Sequence, residues 1–128
     1  MEKLIVWQLI LVFFTIIHIF EEFGMKAELV ISKLTKVLNP RGVYLRACSF
    51  IMLLSFSAVI LSYLQYPLGY YLTFVPIFLA FANFIVHNIG YIKEKRLYGT
   101  LAVGVFTTYP TIAAAGFTLY YLCVILGR

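Results

Sequence analysis

Charged residues are scarce in this sequence. They make up 12% of its 128 residues, whereas hydrophobic residues make up 63% and the mean hydropathy is +0.98. A soluble domain is about half apolar and about a quarter charged, so this chain has too little polar surface for a globule in water. The scarcity of charge excludes an ordinary soluble domain and predicts an integral membrane protein.

Cysteine is also scarce, since the sequence contains only Cys48 and Cys123 and no Cys-x-x-Cys pair. Zinc-finger and thioredoxin-like sites need closely spaced cysteines, so these classes are not expected. We interpret both residues as small apolar side chains that contribute to packing.

Long apolar segments take up most of the chain, at residues 4–24, 43–64, 68–92 and 99–126. A membrane-spanning helix needs about 20 apolar residues to cross roughly 30 Å of hydrocarbon. The segments are apolar on all sides, unlike the alternating strands of a β-barrel. The first segment exceeds the length of a signal-peptide core and lacks a cleavage site. We predict an all-α fold, a single domain over residues 1–128 with four transmembrane helices.

The stretch 26–38 has a different pattern. Apolar residues recur there at helical spacing, while three lysines occupy the opposite side, at Lys26, Lys33 and Lys36. This predicts a short amphipathic helix in the membrane interface between helices one and two. The cluster 39–42 contains Asn, Pro and Gly, and it breaks the chain before the second span.

Positive charges are concentrated on one side of the predicted bundle. Eight of the ten Lys and Arg residues follow the first or third segment, at Lys26, Lys33, Lys36, Arg41, Arg46, Lys93, Lys95 and Arg96. The positive-inside rule then places these connections in the cytoplasm and both termini outside, in a membrane that we take to be the plasma membrane. Without a nucleic-acid-binding motif, we expect membrane lipid, and not nucleic acid, as the partner of this basic surface.

Five polar residues interrupt two of the apolar segments: His18, Glu21, Glu22, Asn83 and His87. An ionisable group inside a membrane span is costly unless it is paired, hydrated or bound to a ligand. On a helix His18 lies about 40° from Glu22 and about 60° from Glu21. Asn83 and His87 also share a face, because they are four residues apart.

The depths of the two histidines agree. With a rise of 1.5 Å per residue, His18 lies about 9 to 12 Å before Lys26 and His87 lies about 9 Å before Lys93. Two helices therefore place imidazoles at nearly the same level on the same side. We predict one buried polar site near the cytoplasmic face.

Metal binding is one interpretation of this site. Two imidazoles and two carboxylates, from His18, Glu21, Glu22 and His87, are a sufficient ligand set for divalent Zn, Fe or Mn. Asn83 would bind substrate or orient His87. Metal-free acid–base catalysis by the same four residues is a second interpretation. A third is a hydrogen-bonded cluster that only fixes the packing of helices one and three.

Three arginines border the predicted cytoplasmic opening, namely Arg41, Arg46 and Arg96. Guanidinium groups match phosphate and carboxylate groups, so these residues would bind the headgroup of a substrate. The alternative is that they serve only as positive-inside residues.

The string His18-Ile19-Phe20-Glu21-Glu22 resembles the motif of the HXXEE membrane-protein family. The later stretches 83–87 and 96–100 and the proline-containing last segment fit that family's layout, so the resemblance covers nearly the whole chain. Where the family commonly has Pro-Gly after Arg-x-Tyr, this chain has Tyr98-Gly99 directly. The family is defined by sequence and has no established general activity. The resemblance thus supports the site without naming a reaction.

The leading hypothesis is a small membrane enzyme that acts on a lipid-like substrate entering sideways from the bilayer. His18, Glu21, Glu22 and His87 would be its catalytic residues. The alternative is a non-enzymatic protein, either a proton or cation carrier or a subunit of a larger membrane complex. Four short helices can hardly enclose a transport path alone, so this alternative predicts a homo-oligomer.

Overall fold

The computed structural model describes residues 1–25, 39–95 and 104–127. Their regular structure consists of four α-helices: α1 at Glu2–Gly24, α2 at Pro40–Tyr63, α3 at Pro67–Glu94 and α4 at Val105–Leu126. Each of these helices is long and apolar enough to cross a membrane. The predicted all-α bundle is therefore confirmed for the described residues. The predicted amphipathic helix at 26–38 lies outside them, as does Arg96.

Local sequence explains how α2 begins. Asn39 adopts the left-handed conformation with φ 56°, and its side chain accepts a hydrogen bond from the backbone N–H of Gly42 at 3.1 Å. Pro40 follows as the first helical residue, where its fixed φ is favourable and its missing N–H costs nothing. The chain break predicted at 39–42 is thus a capped helix start.

A tight turn joins α2 to α3. Gln65 has φ 61°, and Pro67 opens α3. Two residues later, a Cβ on Gly69 would lie 2.3 Å from the backbone nitrogen of Ser62. Only glycine therefore allows the two helices to approach this closely.

The described part of the fourth predicted segment begins at Gly104. The apolar segment was expected to be helical from residue 99; residues 99–103 lie outside the described part of the chain, in which α4 begins at Val105. Gly104 has φ 88°, which is not a helical conformation. Further along, α3 and α4 continue through Pro76 and Pro110.

The helices pack as an antiparallel bundle. Helix α1 packs mainly against α4, α2 packs mainly against α3, and α3 also packs extensively against α4, whereas α1 and α2 contact each other less. The core contains large and small apolar residues: Leu4, Leu11, Ile77, Ala80, Ala114, Ala115 and Leu122. The alanines of α4 allow its backbone to approach its neighbours. Outside this core, large apolar side chains such as Phe20, Phe50 and Phe78 are exposed.

The bundle has two different ends. We call the end that contains the starts of α1 and α3 the terminal end; there the Tyr70 hydroxyl lies 3.5 Å from the Met1 sulfur. The distal end contains the ends of α1 and α3 and the starts of α2 and α4. The orientation of these ends relative to a cytoplasm stays a prediction.

Candidate metal centre

His18, Glu22 and His87 meet at the distal end of the bundle. The Nε2 atom of His87 lies 3.0 Å from Oε1 of Glu22, and Nε2 of His18 lies 3.5 Å from the same oxygen. Both histidines are buried, and the Glu22 side chain is only 15% exposed. Three of the five predicted polar residues thus meet, with both imidazoles facing one carboxylate oxygen of Glu22.

These three residues could hold a metal ion. One donor atom from each of them lies within 4.8 Å of the others, and the two imidazole rings are nearly perpendicular, with centroids 5.0 Å apart. Two histidines and one carboxylate are a donor set found in catalytic zinc and non-haem iron sites. The arrangement therefore fits a divalent metal, without selecting one.

Tyr44 holds the other oxygen of Glu22. Its hydroxyl donates a hydrogen bond of 2.6 Å to Oε2, while Oε1 faces the two imidazoles. Tyr44 is buried one turn into α2. Tyr44 was not predicted as part of the site, although its position at the start of the second span places it at the level of Glu22.

Glu21 is connected to the site indirectly. It is not among the residues whose donor atoms converge, and its Oε2 atom instead accepts a 2.6 Å hydrogen bond from the Thr107 hydroxyl. The same hydroxyl lies 2.8 Å from Nδ1 of His18. A role for Glu21 as a direct ligand stays a prediction. Thr107 itself was missed, because nothing in an apolar segment marks which hydroxyl faces a neighbouring helix.

Gly104 supports the two imidazole rings from the start of α4. A Cβ at this position would lie 2.6 Å from Cε1 of His18 and 3.5 Å from Cε1 of His87. Its positive φ also disfavours other residues. The close approach of α4 to the site therefore requires glycine here.

A cavity of about 240 Å³ adjoins the site. His18, Glu22 and Tyr44 lie in its wall beside Asn83 and Cys48. The rest of the wall consists mainly of small and apolar residues: Thr15, Ile19, Ala47, Ile51, Pro76, Leu79, Ala80 and Thr111. Asn83 thus borders the space in which a substrate would lie, and its predicted role in substrate binding stays a prediction.

A second apolar space lies on the outside of the bundle, between α1 and α2. This outer groove has a volume of about 340 Å³ and is lined by Ile16, Ile19, Phe20, Phe23, Leu45, Cys48, Ser49 and Met52. Ile19 and Cys48 line both the groove and the inner cavity. These two side chains therefore lie between the site cavity and the outer groove.

The two described arginines lie on the exposed surface of the distal end. The Arg41 guanidinium stacks over Phe23 at 4.6 Å from the ring centroid, and Arg46 donates a hydrogen bond to the carbonyl of Gly42 at 3.2 Å. Neither lines the cavity beside His18. Substrate binding by Arg41, Arg46 and Arg96 stays a prediction.

No protein-family model matches the chain, and neither the curated proteins nor the solved structures give a match. The resemblance to the HXXEE family stays a prediction. A function for this chain therefore has to be argued from the geometry of the site.

Proposed function

We propose that this chain is an integral membrane enzyme that binds a divalent metal through His18, Glu22 and His87 and acts on a lipid-like substrate. The observation that carries this proposal is the convergence of three donor atoms within 4.8 Å beside a cavity of about 240 Å³. Ionisable groups in an apolar bundle are costly and usually have a functional reason.

The donor set favours particular metals. Imidazole and carboxylate together suit Zn, Fe or Mn, whereas Mg and Ca prefer oxygen ligands alone. A bound metal would polarise a substrate carbonyl or phosphoryl group, or lower the pKa of a bound water. Three protein ligands also leave positions for water or substrate, as in catalytic zinc sites.

The surrounding residues have separate roles in this proposal. Tyr44 holds Oε2 of Glu22, so that Oε1 stays directed at the imidazoles. Asn83 borders the cavity and would contact the polar part of the substrate. The apolar cavity wall excludes water from the reacting groups. Without a metal, the 3.0 Å contact between Glu22 and His87 would support acid–base chemistry instead.

A lipid-like substrate is supported by the path from the surface to the site. The outer groove is lined mainly by apolar side chains, and it shares Ile19 and Cys48 with the wall of the inner cavity. Helices α1 and α2, which flank this path, contact each other less than the other main helix pairs do. An alkyl or isoprenoid chain would occupy the groove while its polar end reaches Glu22. By the charge distribution, this end faces the cytoplasm of a plasma-membrane protein.

Metal analysis of the purified protein tests the metal-binding part. The protein is purified with a histidine-free tag, and metal is measured by inductively coupled plasma mass spectrometry after reconstitution with Zn, Fe or Mn. We expect roughly one metal per chain, lost in His18→Ala and His87→Ala. Gln8→Met, which alters a buried polar residue at the terminal end, is the matched control and should retain the metal. Absence of metal in the wild-type protein would refute the metal site.

The lipid substrate needs a separate test. Membrane lipids are compared by mass spectrometry between cells that express the wild-type protein, His87→Ala or Gln8→Met. We expect one lipid class to change in abundance with the wild-type protein and with Gln8→Met, but not with His87→Ala. Identical lipid profiles in all three strains would contradict a lipid-directed enzyme and favour the carrier or subunit alternative.

A further inference from the structure

The hydroxyl group of Thr107 lies between a carboxylate and an imidazole. It is 2.6 Å from Oε2 of Glu21, 2.8 Å from Nδ1 of His18 and 3.1 Å from the carbonyl oxygen of Gly104. Thr107 is in the first turn of α4, whereas Glu21 and His18 are on α1. Three groups thus compete for one hydroxyl proton.

The chemistry of these groups decides where that proton lies. An ionised carboxylate and a backbone carbonyl can only accept hydrogen bonds. The carboxylate of Glu21 is the closest acceptor, and hydrogen bonds to charged acceptors are the stronger ones. Thr107 therefore donates to Glu21. The remaining contact, between Thr107 and His18, then needs its proton from the imidazole.

We infer that Glu21 and Thr107 are positioning residues that hold His18 in its Nδ1-protonated tautomer and leave its Nε2 electron pair free to bind a metal. In a neutral imidazole only one nitrogen carries a proton. With Nδ1–H donated to Thr107, Nε2 keeps its electron pair. Hydrogen bonds of this kind commonly fix the tautomer and orientation of metal-binding histidines.

The surroundings of Nε2 support this assignment independently. Nε2 of His18 is buried and has no hydrogen-bond partner among the described residues. It faces Oε1 of Glu22 at 3.5 Å. A proton on Nε2 would therefore be a buried donor without a hydrogen bond, whereas a proton on Nδ1 has the Thr107 hydroxyl at 2.8 Å. A cation between Nε2 and Oε1 would bind both atoms.

The assignment also gives Glu21 a role that differs from direct ligation. Through Thr107 it acts on the tautomer of His18. The inference rests on the proposed metal site only for its consequence for affinity, since the tautomer can be measured without metal.

Nuclear magnetic resonance of metal-free protein provides the test. The chain contains only two histidines, so ¹⁵N- and ¹³C-labelled histidine gives a simple spectrum, and His87→Ala identifies the His18 signals. The variants are Thr107→Val, which removes the hydroxyl at similar volume, and Thr107→Ser, which retains it. Glu21→Ala removes the carboxylate that accepts the Thr107 proton, and it should also remove the preference of His18 for the Nδ1–H tautomer. Circular dichroism and thermal unfolding verify that the folds match.

We expect Nδ1–H His18 in the wild-type protein and in Thr107→Ser. In Thr107→Val and Glu21→Ala the population should shift toward Nε2–H, and Zn²⁺ affinity should fall about 10- to 100-fold. An Nε2–H tautomer in the wild-type protein, or a tautomer and affinity unchanged in folded Thr107→Val, would overturn the inference. Nδ1–H His18 in a wild-type protein that binds no metal would instead refute the proposed function and retain the tautomer assignment.

Discussion

The two ends of the bundle both bury polar side chains, but the groups differ in kind. At the terminal end, the amide of Gln8 donates hydrogen bonds to the hydroxyls of Ser62 at 3.0 Å and Thr73 at 2.6 Å. These three residues, the terminal cluster, are neutral and fully or almost fully buried. At the distal end, ionisable side chains converge beside a cavity.

The two ends differ in the cost of burying their polar side chains. Hydrogen bonds between membrane helices contribute only about 0.6 kcal/mol on average, so the terminal cluster provides modest stability and fixes the register of three helices. Neutral amides and hydroxyls are sufficient for that purpose. Ionisable residues impose a larger cost in an apolar environment, and this cost is the physical basis of the metal site proposed at the distal end.

Among the substitutions that test this comparison between the two ends, Glu22→Gln is expected to have the largest effect, a loss of metal affinity. The substitution keeps the size of the side chain but removes the charge that two imidazoles face at 3.0 and 3.5 Å. We expect metal affinity to fall more than about 100-fold, beyond the usual effect of losing a supporting hydrogen bond. The metal affinity is measured by competition with a chromophoric chelator. Ser62→Ala in the terminal cluster is the control, and equal affinity in both variants would break the comparison.

Smaller effects are expected from substitutions of two glycines. Gly69 lies beside Ser62 of the terminal cluster, and Gly104 lies beside His18 and His87. In Gly69→Ala the new Cβ meets the Ser62 backbone at 2.3 Å, so we expect a loss of about 1–3 kcal/mol in stability. Metal affinity should stay unchanged. In Gly104→Ala the new Cβ meets His18 at 2.6 Å, so affinity should fall as well. Denaturant unfolding in detergent and metal titration are measured for both variants.

Gly116→Ala is the matched control for these glycines. A Cβ at Gly116 would have no atom within 4 Å, and alanine has the higher helix propensity. Its stability should equal or exceed that of the wild-type protein. Loss of metal binding in Gly69→Ala but not in Gly104→Ala would contradict the assignment of one glycine to each cluster.

The smallest effect is expected from Gln8→Met. It removes two hydrogen bonds, but it also removes Oε1 of Gln8, which is buried without a hydrogen-bond partner among the described residues. The two changes oppose each other, so we expect a stability change below about 1 kcal/mol. Denaturant unfolding measures it. A loss of several kcal/mol would show that the neutral cluster contributes more to the fold than its hydrogen bonds indicate.

Segment length and hydropathy were enough to predict the helices. The expected end of the first helix at residue 24 agrees with α1, which ends at Gly24. For the fourth helix, predicted from residue 99, the described part begins at Val105 after Gly104. The neighbouring residues in the sequence do not reveal that Gly104 adopts φ 88°. The reason for this conformation is a contact distant in sequence, the close approach of α4 to His18.

The site was predictable where its residues share a helix face. The spacing of His18 and Glu22 and the matching depth of His87 brought these three together correctly. Tyr44 and Thr107 could not be found in the same way. Their helices are apolar on all sides, so the sequence does not reveal which side chains point toward α1.

The contact between His18 and Thr107 joins residues 89 positions apart, and this separation determines the order in which the site is assembled. During synthesis α1 is made before the other three described helices, whereas α2 and α3 are joined by a short turn and can pair as soon as both are made. Glu21 and His18 find Thr107 only after the fourth helix is inserted. Until then the hydrogen bonds of Thr107 with Glu21 and His18 are missing, whereas Glu22 can already contact Tyr44 and His87. The three proposed metal ligands are on α1 and α3, so they can meet before α4 adds Thr107 beside His18.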